Sequence, residues 1–340
     1  MYKILVVGPS WIGDTILAQP LFRLLHETHA QAAVDVLAPA WTLALLERMP
    51  EVRHAVLNPF GHGELKLAAR RRLGRDLAGA DYDQAIVLPN SFKSALVPYF
   101  AGIPLRTGFR GESRWGVLND VRHLDERALP LMVQRYAALA SARGEPVMPP
   151  PRTQIAADEA ARLATLAKLR LEPTGPVAAL CPGAEYGPAK RWPLHHYAGL
   201  GKRLAERGME VWTVGSARER GLGEEIARLS DGSCRNLCGM TSLGEAIDLI
   251  ASSAVVVSND SGLMHVAAAL GRPLVALYGS SSPDFTPPHS DAATILHLGL
   301  SCSPCFKREC PLGHFNCMMQ LSPDRVCSAI DFDKIRREAH

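Results

Sequence analysis

Short apolar runs and longer amphipathic stretches alternate along the chain. Ile4–Val7 is an apolar run closed by Gly8, the mark of a strand buried on both faces of a parallel sheet. Ile16, Leu17, Leu21, Leu24 and Leu25 then recur at helical spacing, so a helix follows. Pro20 is expected in its first turn or at a kink, because proline lacks the N–H that an interior position donates. Further strands are predicted at Ala33–Leu37, Ala55–Leu57 and Gln84–Leu88, with helices at Trp41–Arg48, Leu65–Leu77 and Lys93–Ala101. Strand and helix in alternation predict a parallel, wound sheet.

Val147-Met-Pro-Pro-Pro151 interrupts the pattern. Proline removes backbone donors and favours an extended linker, which places a domain boundary here or slightly after, giving domains 1–155 and 156–340. The alternation then resumes. Strands are predicted at Val177–Cys181, Glu210–Val214, Ala254–Ser258 and Pro273–Tyr278, and helices at Leu194–Glu206, Leu222–Leu229, Leu243–Ser252 and Leu263–Leu270. The expected fold class is α/β, with two Rossmann-like domains facing a central cleft, and ligands bound at the carboxyl ends of the strands. From about residue 300 the chain is rich in Cys and Pro, and it ends in a polar stretch, Phe332–His340, predicted to be helical.

Composition narrows the function classes. At 340 residues and 47% hydrophobic content, each half can bury a core of its own. A net charge of +3, without a basic and aromatic stripe, argues against nucleic acid as a partner. The excess charge lies in residues 1–150, which hold 17 basic and 14 acidic residues, so that half is the one to attract an anionic partner. No apolar run approaches the ~18 residues of a membrane span, and the start lacks a leader pattern, so the protein is expected to be cytoplasmic or peripheral to a membrane. Eight cysteines in such a chain argue against a disulfide scaffold.

Several loops carry chemistry. Gly8-Pro-Ser-Trp-Ile-Gly13-Asp14-Thr15 differs from a phosphate loop at the decisive position, where Asp14 replaces the lysine that holds phosphates. A carboxylate there repels a polyphosphate, but it can deprotonate a hydroxyl as a general base, or cap the following helix. Pro182-Gly183-Ala-Glu-Tyr-Gly-Pro-Ala-Lys190-Arg191-Trp192-Pro193 follows a strand and precedes a helix whose first position is expected at Pro193. Its glycines, cations and helix start make an anion site, with Lys190 the residue for a leaving diphosphate, unless the pair is a solvated surface. Ser258-Asn-Asp260-Ser261-Gly262-Leu263-Met-His265 lies between a strand and a helix. Its first amides suit a phosphate, and Asp260 suits ribose hydroxyls; an ordinary N-cap and an interior histidine are the plain alternatives.

Tyr278-Gly-Ser-Ser-Ser-Pro-Asp284 forms another loop at the same sheet edge. Pro89-Asn90-Ser-Phe-Lys93-Ser94 and Arg106–Arg114 gather cations for an anionic acceptor or a solvated surface. The run Arg70-Arg71-Arg72, with Lys66 and Arg75, fits either an anionic membrane surface or a solvated face. Finally, Cys302-x2-Cys305-x4-Cys310-x6-Cys317 admits a structural zinc or similar metal, free thiols, or disulfides.

The Gly8–Asp14, Lys190–Pro193, Asn259–His265 and Tyr278–Asp284 motifs, in this order, resemble the bacterial lipopolysaccharide heptosyltransferases, and the likeness runs from residue 1 to about 290. That resemblance implies the two-Rossmann, GT-B type of glycosyltransferase fold, with acceptor on the first domain and donor on the second. It implies ADP-L-glycero-β-D-manno-heptose as donor and the first heptose on Kdo2-lipid A (heptosyl-Kdo2-lipid A) as acceptor, at the cytoplasmic face of the inner membrane. The reaction would invert configuration and require no cofactor. Asp14 matches the family's base and Lys190 its diphosphate-stabilising lysine. Gly183, Asp260, Ser261, Gly262, Leu263 and His265 would bind the donor; Ser10, Trp11, Asn90, Lys93, Arg106, Arg110 and Arg114 would bind the acceptor. The sequence departs from some relatives after Gly215, where Ser216-Ala217-Arg218 stand in place of a donor-contacting acidic residue. The rival readings are a nucleotide-sugar epimerase on the same fold and a non-catalytic nucleotide-binding module.

Overall fold

A computed structural model describes residues 1–338 and divides the chain into two compact units, Met1–Thr153 and Gln154 onward. Each unit carries a six-stranded sheet whose described strand pairings are parallel.

In the first unit the strands are β1 (Tyr2–Val7), β2 (Ala32–Ala38), β3 (Val52–Leu57), β4 (Gln84–Val87), β5 (Leu105–Phe109) and β6 (Asp120–Arg122), in the spatial order β3-β2-β1-β4-β5-β6. The helices are α1 (Ile12–Thr28), α2 (Ala40–Leu46), α3 (Leu67–Ala78), α4 (Leu96–Phe100) and α5 (Met132–Ala137). β1 and β4 are almost wholly buried, as their apolar runs require, and pair in register from Ile4 opposite Gln84 to Val7 opposite Val87. Pro20 departs from expectation: it lies well inside α1, among residues buried against the sheet, where packing outweighs the missing hydrogen bond. The predicted helix at Leu65 starts at Leu67, because Lys66 adopts a left-handed φ of 40°.

The second unit repeats the design. Its strands are β7 (Val177–Cys181), β8 (Glu210–Thr213), β9 (Cys234–Asn236), β10 (Val255–Asn259), β11 (Leu274–Tyr278) and β12 (Ala293–His297), in the order β12-β11-β10-β7-β8-β9. Counted from its own first strand, this is the same 3-2-1-4-5-6 order as in the first unit, the doubly wound order of dinucleotide-binding domains. Helices α6 (Glu159–Lys168), α7 (Leu194–Ala205), α8 (Arg220–Leu229), α9 (Leu243–Ala251) and α10 (Gly262–Ala269) accompany the sheet; α11 (Asn316–Met319), α12 (Pro323–Ser328) and α13 (Phe332–Glu338) form the tail. Ala339 and His340, part of the predicted tail helix, lie outside the described residues. Trp192, Tyr197, Leu200 and Leu204 join Met318, Leu321 and Val326 in one core, so the tail is built into the unit. Each such side chain contributes roughly 1.5–3 kcal/mol by leaving water.

Strand β5 occupies part of the Arg106–Arg114 stretch read as a loop, and the short strand β6 lies where the sequence pattern predicts no element. They are held by a polar ladder rather than an apolar run: Gln84 donates to Thr107 Oγ1 at 2.9 Å, Thr107 donates to Asp120 Oδ2 at 2.9 Å, and Arg122 pairs with Asp120 at 2.7 Å. Among the described residues no helix is long and apolar enough to cross a membrane.

Helices α3 and α4 meet where α3 has no side chain. A Cβ on Gly74 would stand 2.5 Å from Phe100 Cβ and 2.9 Å from Val97 O. Gly74→Ala is therefore expected to destabilise the protein by about 1–3 kcal/mol through overpacking. Urea unfolding measures this, and unchanged stability would mean that the helices do not pack so closely.

Candidate functional site

Ligands of wound α/β sheets sit where the strand order reverses, at the carboxyl ends of the two central strands. Those strands are β7 and β10 in the second unit, and the loops leaving them are Pro182–Pro193 and Asp260–Ser261.

Asn259, the last residue of β10 and completely buried, ties the two loops together. Its side-chain amide donates to the carbonyls of Pro182 at 2.8 Å and Gly183 at 3.3 Å. Its Oδ1 accepts the Trp192 backbone N–H at 2.9 Å and lies 3.0 Å from the Tyr197 hydroxyl. With the loops so held, Lys190 Nζ donates to Asp260 Oδ2 at 2.6 Å. The ammonium also stands 5.2 Å from the Tyr186 ring centre. Asp260 is 5% exposed, and His265 Nε2 lies 4.0 Å from its other oxygen. Burial lowers the His265 pKa to about 4, opposed by the nearby Asp260 charge, so the ring is neutral at physiological pH.

Ser261, not Asp260, is the N-cap of α10, with no side-chain bond to the helix; Gly262 and Leu263 form its first turn. Its hydroxyl instead meets Ser258 Oγ at 3.2 Å. The first amides of α10 thus face the loop end, an arrangement suited to an anion. Pro193 caps α7 rather than opening it. Among the described residues, six buried polar side-chain atoms of this unit have no hydrogen-bond partner, and His265 Nδ1, Ser280 Oγ and Ser281 Oγ are three of them. Gly183 leaves room for the Glu219 carboxylate: a Cβ there would lie 1.7 Å from Glu219 Oε1, and that side chain would have to move. The Glu219 carboxylate also accepts the Ser216 N–H at 2.6 Å and crowds Gly215, so an acidic group does stand after β8, directly following Ser216-Ala217-Arg218.

In the first unit the loops leaving β1 and β4 carry the predicted base and acceptor residues. Asp14 sits in the first turn of α1, whose N-cap is Trp11, so it does not cap that helix. It is half-buried, and its charge reaches the phenol of Tyr136 on α5, whose pKa rises chiefly through burial. Ser10 and Trp11 are exposed, and the Ser10 carbonyl accepts the Trp41 indole N–H at 2.8 Å. Asn90 and Arg110 are exposed and Lys93 half-buried.

Arg106 and Arg114 are placed differently from the expected acceptor contacts. Arg106 donates to the carbonyls of Val117 at 2.6 Å and Ile103 at 2.5 Å. Arg114, 3% exposed, donates to the carbonyls of Pro89 and Phe109. Burial lowers both guanidinium groups from their ordinary value, and their donors go to shaping the loop. Arg70 likewise turns inward, onto the carbonyls of Leu65 and Glu64 and the Phe60 ring, while Arg71, Arg72 and Arg75 stay exposed.

The four tail cysteines are free thiols and line one small cavity together with Ala189, Ser280 and His314. The backbone amide of Phe315 and those of Leu312, Gly313 and His314 hold the Cys310 thiol below its ordinary value. Burial raises Cys317, and the charges of the other three thiols add to it. Among the described residues no three His, Cys, Asp or Glu side chains stand in closed metal-holding geometry.

Two domains of Rossmann order, with a cation and a helix start at the second switch point, have the architecture of GT-B type glycosyltransferases. Residues 70–316 match glycosyltransferase family 9 (heptosyltransferase), and the chain belongs to that family. It is 49% identical to lipopolysaccharide heptosyltransferase 2 of Escherichia coli K12 over 350 aligned positions, covering 99% of this chain and 100% of that one. It is equally 49% identical to the Salmonella typhimurium protein of the same name over 337 positions, covering 95% and 96%. The solved structure of the Escherichia coli ADP-heptose lipopolysaccharide heptosyltransferase II matches with a TM-score of 0.87 at 46% identity, covering 99% of this chain and 100% of that one. The family resemblance read from the motifs therefore holds.

The buried neutral His265 has a pH signature. In the unfolded chain it takes a proton near 6.5, whereas in the folded protein it resists until about 4. Between these values the unfolded state binds more protons, so stability falls as pH is lowered through the window. Urea unfolding between pH 7 and 4.5 is expected to show a steeper loss in the wild type than in His265→Gln. Parallel curves would mean that the ring is not held neutral.

Proposed function

We propose that this chain transfers L-glycero-D-manno-heptose from ADP-heptose to the first heptose of heptosyl-Kdo2-lipid A, with inversion and without a required cofactor. The observation that carries the reading is the Lys190–Asp260 pair beside the start of α10, at the switch point of the second unit. Near-full-length identity to relatives named for this activity supports it.

In this reading the first unit binds acceptor and the second binds donor. Asp14 removes the proton of the attacking acceptor hydroxyl while that oxygen bonds to the anomeric carbon. The bond from that carbon to the ADP oxygen breaks, and its electron pair passes to the β-phosphate. Lys190 and the first amides of α10 offset this charge, as preorganised donors that need no reorganisation during the reaction. Asp260 presents Lys190; Gly183, Ser261, Gly262, Leu263 and His265 shape the donor site. Asn90, Lys93 and Arg110, with Ser10 and Trp11, supply accessible polar and aromatic groups for the sugar acceptor, while Arg106 and Arg114 support the loop that carries Arg110.

The proposed place of action is the cytoplasmic face of the inner membrane, approached through Leu65 and Leu67, each about half exposed, and the exposed Arg71, Arg72 and Arg75. Co-sedimentation with anionic but not zwitterionic vesicles, lost when the three arginines become glutamine, checks this approach; equal binding to both vesicle types counts against it.

ADP release from ADP-heptose is expected only with a heptosyl-Kdo2-lipid A acceptor, accompanied by a heptose-sized gain in acceptor mass. Asp14→Asn should lower kcat by about 10²–10⁴ with donor affinity little changed. Lys190→Ala should lower the rate by about 10²–10³ and weaken donor binding as well. Equal losses of rate and donor affinity in Asp14→Asn would remove it as the base, and wild-type kinetics in Lys190→Ala would remove that residue from the site.

A further inference from the structure

The cysteine cluster has no part in the proposed reaction. Cys302, Cys305, Cys310 and Cys317 come from one tail segment, are each half-buried, and surround a single cavity as free thiols. The turn after Cys310 is bent by left-handed backbone at Gly313 (φ 71°) and Phe315 (φ 51°), and Gly313 N–H donates to the Cys310 carbonyl at 3.1 Å. Ser280, 1% exposed, lines the same cavity with a hydroxyl that has no partner. Four sulfurs around one void and an orphaned buried hydroxyl call for a ligand that the protein groups alone do not supply.

We propose that these four cysteines are the ligand set of a structural metal centre for one soft divalent cation, zinc or ferrous iron. The four side chains line one cavity, but among the described residues no three such groups are placed to hold a metal as they stand, so binding requires the sulfurs to move together. Each thiol gives up its proton to the solvent as its sulfur bonds to the metal, so four protons leave for one cation. The resulting centre carries two net negative charges, toward which the unpartnered Ser280 hydroxyl in the cavity wall can donate. With four thiolates no coordination position remains open, so the metal is structural rather than catalytic.

Its purpose is legible in what the segment holds. Phe306 N–H donates to Ser280 O at 2.7 Å, and Ala189 N–H to Arg308 O at 3.0 Å. The Tyr186 hydroxyl donates to Phe306 O at 2.9 Å. Two glycines permit the approach: a Cβ on Gly187 would lie 2.4 Å from Arg308 O, and one on Gly279 would lie 3.2 Å from Cys317 Sγ. The cysteine segment is thus the backing of the turn that ends in Lys190. The metal closes that segment on itself and fixes the lysine from behind. This second part rests on the donor-site reading; the metal site itself does not.

The test uses the full chain purified without chelators. Elemental analysis is expected to find about one zinc or iron per protein, and the four thiols should react with a thiol reagent only after a chelator removes the metal. Zinc and iron are told apart by that analysis and by the visible absorption of an iron–thiolate centre. Cys305→Ser and Cys310→Ser should lose the metal, and Cys327→Ala, outside the cluster, should keep it. Where a variant does not fold, chelator titration of the wild type gives the same answer. Metal well below about 0.1 equivalent after incubation with zinc, with all four thiols reactive, overturns the site; so does a mass deficit showing disulfides. Stripping the metal should weaken ADP binding roughly tenfold. Unchanged ADP affinity overturns the buttressing role alone, and failure of the metal-loaded chain to bind ADP counts against the donor reading while leaving the metal site intact.

Discussion

The site of the second unit depends on the buried amide of Asn259. At the end of β10 it satisfies two carbonyls of the loop after β7 and accepts from Trp192 N–H, with the Tyr197 hydroxyl beside the same oxygen. A side chain with both donors and acceptors is required, because each group it meets is buried and costly to leave unpaired. An aspartate would bring a charge and lose the donors; an apolar residue would orphan several groups at once. The amide holds Trp192 two residues from Lys190, and so decides where the lysine stands relative to Asp260. The Trp192 indole in turn donates to Leu321 O at 2.7 Å, so the same constraint carries the tail into the core.

The central strands are legible because parallel strands buried on two faces read as unbroken apolar runs: Val177–Cys181 and Ile4–Val7 are cases. Of the outer strands, β3 is legible too, whereas β5, β6, β9 and β12 are not. β5, β6 and β9 contain Arg, Asp, Gly or Asn and are only three to five residues long, and their pairing relies on ladders such as Gln84–Thr107–Asp120, which no hydrophobic period reveals. The site was partly legible for the same reason: charged residues after buried strands are conspicuous, so Lys190, Asp260 and Asp14 stood out. Asn259 does not stand out in sequence, since an amide buried as a linker looks there like any residue at a strand end. Glu219 was missed because the turn carries the carboxylate back to Gly183, a fold of the chain that spacing does not encode.

Arginine was the residue type most easily misread. A cluster such as Arg106–Arg114 reads as a basic surface, yet a guanidinium has five donors in a rigid fork, and irregular loops hold many carbonyls without partners. Arg106 and Arg114 satisfy five such contacts between them, including one with the Asn90 side chain, and Arg70 does the same before α3. Charge counts therefore overstate the cationic surface of the first unit. What remains for a ligand is the smaller set of exposed cations, held in position by the buried ones.

The Lys190–Asp260 pair raises the opposite question, why a cation proposed to meet a diphosphate should already be neutralised. A half-buried ammonium alone would pay a large desolvation cost, and the carboxylate at 2.6 Å offsets it. Because His265 is neutral, it adds no charge of its own, so before a ligand arrives the three groups sum to zero. In the proposed reading, recognition of an anion there rests on oriented dipoles, the first amides of α10 and the loop N–H groups, rather than on excess positive charge. That suits a step in which charge grows on a leaving group: fixed dipoles and a pinned ammonium stabilise the developing charge without binding the ground-state anion so tightly that the barrier deepens.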